Sequence, residues 1–323
     1  MNAPLLRLWS WTRKVFPWAL AALVLTLVAR QARTVEWTEV WTAVLAIPAT
    51  QLALAVGLAA LSYALYGSFD LVGRRLTRAP VSVGRSLGTA AISYAFNLNF
   101  GSLVGGLALR LRLYTRWGLS APTVGKIIAY SMVTNWLGYL WVAGAVWWWA
   151  PPRLPEAWVS SPLWWRGVGM AMLLVAAAYV ALCFFSRRRE LSVRGHALPL
   201  PDGRLALLQA AMGGASWLLI GAIVWSLFGG RIDYPAVLGA LLLAAVAGVV
   251  THVPAGLGVL EAVFAASLGG ARWPVAEVLA VVLVYRAAYY LLPLVFALPA
   301  YGLSEAAARR RSGAGQAVGE APV

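Results

Sequence analysis

Charged side chains are scarce in this sequence. Asp, Glu, Lys and Arg make up 11% of its 323 residues, whereas a soluble domain carries about 25%. Hydrophobic residues make up 61%, and several apolar runs are long enough to cross about 30 Å of hydrocarbon. Because these runs are continuous and do not alternate with polar residues, a membrane β-barrel is excluded. The sequence therefore predicts an all-α polytopic membrane protein.

Reactive and metal-binding residue types are also few. Cys183 is the only cysteine, so neither a disulfide framework nor a thiol metal site is expected. Of the aspartates, only Asp70 could approach the bilayer. The sequence has no His-Glu-x-x-His, Gly-x-Ser-x-Gly or Walker motif. We therefore expect no metal, no cofactor and no enzymatic activity, and neither intramembrane hydrolysis nor ATP-driven transport by this chain.

The net charge of +15 comes from Arg and Lys residues that cluster in short loops between the apolar runs. This distribution follows the positive-inside rule and does not indicate nucleic-acid binding. The basic loops are 70–86, 110–126 and 186–204, and they should face the cytoplasm together with the polar tail 303–323. Both termini are then predicted to be cytoplasmic.

Six segments are predicted to span the membrane, and two further apolar regions are interrupted at their centres. The spans are approximately 15–29, 44–67, 123–150, 163–185, 205–228 and 275–302. The interrupted regions are 85–116 and 236–268. Basic loops flank region 85–116 on both sides, so it should enter from the cytoplasm, turn and return. The loops that flank 236–268 carry one Arg each, so this second re-entrant hairpin should enter from the other face.

This order of elements suggests one transmembrane domain, 1–302, built as an inverted repeat. Its halves, about 15–150 and 163–302, each contain span, span, hairpin and span, with offsets of about 150 residues, within the error of boundaries placed from sequence. Inverted repeats with paired broken helices are typical of secondary transporters, whose substrate site lies near the midplane where the breaks meet. We therefore expect both interruptions to border a polar cavity.

Pro254, Gly256 and Gly258 interrupt the second region, and Glu261 follows them. Arg286 lies near the middle of the last span. Each charge would be costly alone at membrane depth, so the two should face each other. Arg286 then either holds an anionic group that competes with Glu261, or forms a permanent pair with Glu261 that fixes helix packing. Tyr290 is one helical turn further on, where its hydroxyl would assist a ligand or form an inter-helix hydrogen bond.

The first region is interrupted by Asn97, Asn99 and Gly101. Asparagine can satisfy freed backbone groups by itself, so a self-capped turn is one interpretation and a polar lining is the other. The pair Gly105-Gly106 permits close helix packing. The half-helices that follow the two breaks would direct their positive ends at the cavity, which favours anions.

Arg110 and Arg112 lie beyond the first break, near the predicted cytoplasmic headgroup level. They either extend to the headgroups as ordinary snorkelling residues or form a phosphate-binding cluster, since guanidinium binds phosphate in a bidentate manner. Asp70 is a candidate partner for one of them. His252 adjoins the second break and either titrates near neutral pH or packs as a hydrogen-bonded residue.

Together these motifs resemble the family defined by the transmembrane part of bacterial lysylphosphatidylglycerol synthase, the multiple-peptide-resistance factor, and in particular its stand-alone inner-membrane members. The resemblance covers nearly the whole chain. The residues that carry it are Pro254–Glu261, Gly105-Gly106 followed by Arg110, and Tyr285-Arg286 with Tyr290 and Pro293.

The resemblance implies a multi-pass, lipid-handling domain in the bacterial inner membrane. In the full-length synthases this domain is thought to flip aminoacylated phospholipid, which a separate soluble domain makes. Only a polar tail follows Tyr301, so aminoacyl transfer is not expected. Many relatives carry Gly-Glu where this chain has Gly106-Leu107, so a lysyl lipid is not assumed.

The leading hypothesis is a phospholipid translocase that recognises anionic headgroups. Arg286, Arg110 and Arg112 would engage the phosphate, and Glu261, Asn97, Asn99 and Asn135 would line the path. A second hypothesis is a proton- or ion-coupled transporter of a small anion, with Glu261 and His252 as coupling groups. A third is a membrane scaffold whose partners are lipid-synthesising enzymes.

Overall fold

The computed structural model describes residues 36–152, 154, 161–186, 190–193, 196–270 and 273–319. The predicted first span, 15–29, lies outside these residues. α-Helices dominate the described chain, as its composition predicts. One short β-hairpin, which the sequence analysis did not anticipate, lies in the basic 186–204 loop: Glu190–Val193 pairs antiparallel with His196–Pro199.

The helices vary widely in length. In chain order they are α1 Trp37–Leu45, α2 Ala49–Leu76, α3 Val83–Phe100, the π-helix Ser102–Leu109, α4 Arg110–Arg116, α5 Ala121–Trp149, α6 Pro162–Phe185, α7 Gly203–Leu227, α8 Tyr234–Thr251, the 3₁₀ turn Pro254–Gly256, α9 Val259–Leu268, α10 Val275–Arg286, the π-helix Ala287–Leu291 and α11 Leu292–Gly319.

Five stretches of helix within the described residues are long and apolar enough to cross a membrane. They are Ala49–Leu76, Pro162–Phe185, Gly203–Leu227, Tyr234–Thr251 and Val275–Ala306. Four of them overlap predicted spans, and the fifth, α8, was predicted to be one limb of a hairpin. Helix α5 has the length of a span, 29 residues, but is not among the five because aromatic and polar side chains lower its hydropathy. The protein is therefore an integral membrane protein with several spanning helices.

Both interruptions predicted from the sequence are present. Helix α3 ends at Phe100, and Gly101, with φ of 88°, joins it to the π-helix that follows. The two limbs pack tightly, since a Cβ at Gly105 would lie 2.0 Å from the backbone nitrogen of Asn97. Helix α8 ends at Thr251 and packs against α9. Each interruption therefore joins two helices that pack against each other.

The described residues form two compact units. The first contains the chain up to Leu58, Tyr139–Tyr179 and Trp217–Arg286; the second contains Ala59–Gly138, Val180–Ser216 and the chain from Ala287 onward. Each unit takes segments from both of the predicted repeat halves. The predicted boundary at residue 302 falls inside α11, which continues to Gly319.

Small residues allow close helix packing inside each unit. In the second unit, a Cβ at Gly138 would lie 2.0 Å from the backbone carbon of Gly213. In the first unit, a Cβ at Gly169 would lie 2.7 Å from the carbonyl oxygen of Gly144. Lipid is as apolar as the helices themselves, so helices in a membrane associate through such close backbone contacts more than through hydrophobic burial.

Candidate functional site

The second interruption is a loop in which four residues adopt left-handed backbone conformations. These are His252 with φ of 54°, Ala255 with 55°, Gly256 with 57° and Gly258 with 76°. A left-handed conformation costs a residue with a Cβ about 1–2 kcal/mol. His252 and Ala255 therefore need support from neighbouring contacts to hold this loop in shape.

Arg286, the last residue of α10, supplies much of that support. Its Nη1 donates to the carbonyl of Ala255 and its Nη2 to the carbonyl of Gly256, both at 2.8 Å. Nη2 also donates to Oε2 of Glu261 at 3.1 Å, and Nε donates to Oε1 of the same carboxylate. A helix break leaves backbone carbonyls without helical partners, and here the guanidinium of Arg286, a residue that is 8% exposed, satisfies two of them.

Glu261 binds the other side of the same loop. Its Oε2 accepts the backbone N–H of Gly258 at 2.9 Å, the residue that precedes α9. A carboxylate in the first turn of a helix satisfies a free N–H group and interacts favourably with the positive end of the helix. Glu261 thus caps α9 and neutralises Arg286 at the same time.

The pairing of Glu261 with Arg286 that the sequence suggested is present. Its geometry bears on whether Arg286 binds an anionic group or forms a permanent pair that fixes helix packing. The guanidinium binds two loop carbonyls and the carboxylate together, so in this conformation it holds the broken helix in shape. Removing one partner of a buried ion pair costs about 3–5 kcal/mol. A phosphate would therefore reach Arg286 only if it displaced Glu261 or if the loop opened.

A second buried charge pair lies in the second unit. Arg110, the first residue of α4, has its Nη2 3.2 Å from Oδ1 of Asp70 on α2. The two residues are 2% and 0% exposed. The hydroxyl of Tyr114 donates to Oδ2 of Asp70 at 2.9 Å and lies 2.9 Å from the hydroxyl of Ser86. Arg110 is thus neither at the surface nor snorkelling, because the packing of α4 against α2 encloses it.

Arg110 differs from Arg286 in how many of its guanidinium N–H groups have an aligned hydrogen-bond acceptor. By strict hydrogen-bond geometry neither Nη2 nor Nε has an aligned acceptor among the described residues, although Nη2 lies close to Asp70. The Tyr66 hydroxyl is also near the guanidinium, and the Ser131 hydroxyl is near the carboxylate of Asp70. The guanidinium carbon lies 5.5 Å from the centre of the Tyr66 ring, which offers a favourable cation–π contact. A buried donor without an acceptor costs about 1–3 kcal/mol or more, so these two nitrogens favour an additional anionic or polar ligand.

A cluster of tyrosines that was not predicted from the sequence lies in the same unit. The hydroxyl of Tyr289 is 2.9 Å from those of both Ser62 and Tyr94, and Tyr63 donates to its carbonyl at 3.2 Å. Tyr94 also stacks on Tyr66 with ring centres 3.7 Å apart. The sequence signal for this cluster was the spacing of Ser62, Tyr63 and Tyr66 on α2, since residues three and four apart share one face of a helix.

The polar residues of the first interruption support the turn itself. The amide of Asn99 donates to the carbonyls of Ala95 at 2.8 Å and Tyr290 at 3.0 Å. The carbonyl of Asn97 accepts the N–H of Gly101 at 2.9 Å. A Cβ at Gly106 would lie 3.1 Å from Oδ1 of Asn97. The side chain of Asn99 therefore ties the end of α3 to the π-helix Ala287–Leu291.

Arg112 and Arg116, one turn apart on α4, meet the carboxylate of Glu305 on α11. Nε of Arg112 donates to Oε1 at 3.0 Å and its Nη2 donates to Oε2 at 2.9 Å. Arg116 also pairs with Oε2. The side chain of Arg112 is 56% exposed and that of Glu305 is 17% exposed. This two-arginine site faces outward, unlike that of Arg110.

His252 and Tyr290 lie in local structure that the sequence did not predict. His252 is exposed, with Nδ1 3.0 Å from the carbonyl of Val250, and it is the left-handed residue that ends α8. Tyr290 was placed one α-helical turn after Arg286, but Ala287–Leu291 form a π-helix. Hydrogen bonds in a π-helix join residues five apart, so a spacing of four no longer aligns two side chains.

The two units divide the residues predicted to act together. The first unit contains Glu261, Arg286 and the second interruption with His252, Pro254, Gly256 and Gly258. The second unit contains Asp70, Asn97, Asn99, Gly101, Gly105, Gly106, Arg110, Arg112, Asn135 and Tyr290. Asn135 lies half-buried on α5. Each unit therefore has its own buried arginine–carboxylate pair and its own helix break, with Arg110 following the first break after the π-helix Ser102–Leu109.

The first unit also contains a cavity of about 760 Å³. Its polar lining includes Glu39, Gln51, Arg231 and Glu277, of which Arg231 and Glu277 form an exposed ion pair. Neither buried arginine lines it, so the cavity is a feature separate from the two charge pairs.

Comparison with known proteins gives consistent matches over most of the chain. The model of the family described as "Lysylphosphatidylglycerol synthase TM region" matches residues 15–297. Inner membrane protein YbhN of Escherichia coli is 37% identical over 302 residues, which cover 94% of this chain and 95% of that protein. Uncharacterized protein slr0712 of Synechocystis is 28% identical over 94% of this chain and 96% of that protein. Phosphatidylglycerol lysyltransferase of Bacillus subtilis is 24% identical over 88% of this chain and 33% of that protein.

Proposed function

This chain belongs to the family of lysylphosphatidylglycerol synthase transmembrane regions, and we propose that it is a phospholipid translocase of the bacterial inner membrane. The observation that carries the proposal is the partly unsatisfied guanidinium of Arg110, buried beside Asp70. A buried arginine whose donors lack aligned acceptors is an expensive feature in a membrane protein, and such residues often mark substrate pathways.

The phosphate diester of a lipid headgroup matches the chemistry of this site. Guanidinium binds phosphate oxygens through two parallel N–H groups, and both Nε and Nη2 of Arg110 lack aligned acceptors among the described residues. Asp70 holds the arginine in place through its charge, while Tyr114 holds Asp70. The headgroup therefore binds to donors that are already oriented, which lowers the cost of ordering the site.

Arg286 performs a different step in this proposal. Its donors are used by Glu261 and by the carbonyls of Ala255 and Gly256. A phosphate that binds Arg286 must first exchange with Glu261, so headgroup binding is coupled to opening of the loop. The carboxylate returns when the headgroup leaves, which prevents an unpaired buried charge.

The element order supports re-entrant hairpins and an inverted repeat. Helices α3 and α8 each have 18 residues, and Tyr234 lies 151 positions after Val83 (234 − 83). A limb of this length measures about 27 Å and enters deep into a bilayer whose hydrocarbon is about 30 Å thick. Basic loops on both sides of the first hairpin favour a cytoplasmic position for its ends and, in this proposal, for both chain termini.

Vesicle reconstitution tests the proposal. The full chain is placed in vesicles that contain fluorescent phosphatidylglycerol, and leaflet exchange is measured by quenching the outer leaflet. Wild type should exchange lipid faster than protein-free vesicles. The double variant Asp70→Asn/Arg110→Gln removes both buried charges without leaving one unpaired, and it should reduce exchange to the protein-free rate.

The matched control is Arg231→Gln/Glu277→Gln, which neutralises an exposed ion pair in the first unit and should exchange lipid like wild type. Wild type that exchanges no lipid would contradict the translocase. Uptake of inorganic phosphate that depends on pH and on Glu261, without lipid exchange, would favour the small-anion transporter. Loss of function only when the 186–204 loop is deleted would favour the scaffold.

A further inference from the structure

The carboxylate of Glu305 occupies a site with the geometry of a phosphate-binding pair of arginines. Arg112 holds it through two parallel N–H···O contacts of 3.0 and 2.9 Å, and Arg116 holds Oε2 from the next turn of α4. Two guanidinium groups around one anion form a common arrangement for phosphate recognition. The phosphate diester of a lipid headgroup has two non-ester oxygens that share one negative charge, as the carboxylate does, so it can take the place of Glu305 at the same pair.

The position of Glu305 in the chain brings this site to the level of lipid headgroups. The stretch Val275–Ala306 has 32 residues, about 48 Å of helix, which exceeds the roughly 30 Å of hydrocarbon. A stretch this long extends past the hydrocarbon at one end or both, and Glu305 is the residue before its last, Ala306. The side chain of Arg112 is 56% exposed, so an anion from outside can approach it without unfolding of the site.

We propose that Arg112 and Arg116 form a binding site for the phosphate group of an anionic lipid, and that Glu305 on α11 is its internal competitor. Binding of the lipid phosphate releases Glu305 and with it the contact between α4 and α11. This proposal deepens the translocase proposal, on which it rests, by adding a site at which anionic lipid regulates the first hairpin. Lipid phosphate and free phosphate share this chemistry, and the experiment distinguishes them.

Lipid binding measured by native mass spectrometry tests the site. The purified full chain is titrated with short-chain phosphatidylglycerol, with phosphatidylcholine and with inorganic phosphate. Glu305→Gln removes the competing charge but keeps the size of the side chain, and it should tighten phosphatidylglycerol binding about threefold to tenfold. Adding Arg112→Gln and Arg116→Gln to that variant should remove the gain.

Glu277→Gln is the matched control, because it makes the same change of charge in another exposed Arg–Glu pair, and it should leave lipid binding unchanged. A gain with inorganic phosphate as well as phosphatidylglycerol would support a site for phosphate in general. A gain with phosphatidylglycerol alone would support a lipid site. Equal or weaker phosphatidylglycerol binding by Glu305→Gln, or an equal gain with phosphatidylcholine, would overturn the proposal.

Lipid binding and lipid exchange are separate measurements, so this proposal and the translocase proposal can fail independently. A chain that shows the predicted binding pattern but exchanges no lipid in vesicles would contradict the translocase alone. A chain that exchanges lipid while Glu305→Gln binds like wild type would contradict only the regulatory site.

Discussion

The two helix breaks of this protein use the same kinds of side chain for different purposes. Arg110 and Glu261 lie 151 positions apart (261 − 110), each shortly after a break. Arg110 pairs with Asp70 on an earlier helix, whereas Glu261 pairs with Arg286 on a later helix. Arg286 binds backbone carbonyls of its break, but Arg110 retains nitrogens without aligned acceptors in the described chain. One arginine therefore stabilises a loop, whereas the other has donors that a ligand could use under the proposed function.

The largest expected effect comes from removing the arginine that holds the loop. Arg286→Ala would leave Glu261 without its ion-pair partner and the carbonyls of Ala255 and Gly256 without their donor. We expect the protein to lose about 3–5 kcal/mol of stability. Thermal unfolding in detergent should show a clear drop in the midpoint, and a midpoint equal to that of wild type would mean that the loop does not depend on Arg286.

The effects of substituting Asp70 and Arg110 on stability should be coupled, and they should be smaller than the effect of removing Arg286. Asp70→Asn and Arg110→Gln each leave one buried group without its partner, while the double variant leaves no charge unpaired. The double variant should therefore be more stable than the sum of the single effects predicts, by about 1–3 kcal/mol. A double-mutant cycle of unfolding free energies measures this coupling. Additive effects would show that the two charges do not interact.

The stability of the first hairpin should be sensitive to added side-chain volume where its two limbs touch. Gly105→Ala would place a Cβ 2.0 Å from the backbone of Asn97, so the limbs must separate, at a cost of about 1–3 kcal/mol. Gly88→Ala is the control on the same hairpin, because a Cβ there meets nothing within 4 Å. Unfolding measurements that rank the two variants equally would argue against close contact between the limbs.

The second break should respond to backbone conformation. Ala255 has φ of 55°, where glycine is tolerated better than alanine, so Ala255→Gly should raise stability by up to about 1 kcal/mol. Ala262→Gly lies inside α9, and there the same change should lower stability by about 1 kcal/mol. Opposite signs in the two thermal midpoints are expected. A loss at both positions would show that Ala255 is not strained.

The sequence predicted the breaks more reliably than the surroundings of individual side chains. Gly101 and the stretch Pro254–Gly258 mark positions where a helix cannot continue, and the helices end beside them. The snorkelling interpretation of Arg110 was wrong because its burial depends on the packing of α4 against α2. The role of Glu305 was missed because it pairs with Arg112, 193 positions away.

The sequence by itself determined that this is a helical membrane protein with two interrupted helices, because the length of an apolar run and the positions of Gly and Pro act locally along the chain. The tertiary structure decided which buried charge pairs with which partner, and how many N–H donors of each buried arginine have an acceptor. Those properties depend on how helices far apart in sequence pack together, and spacing along one helix does not contain that information.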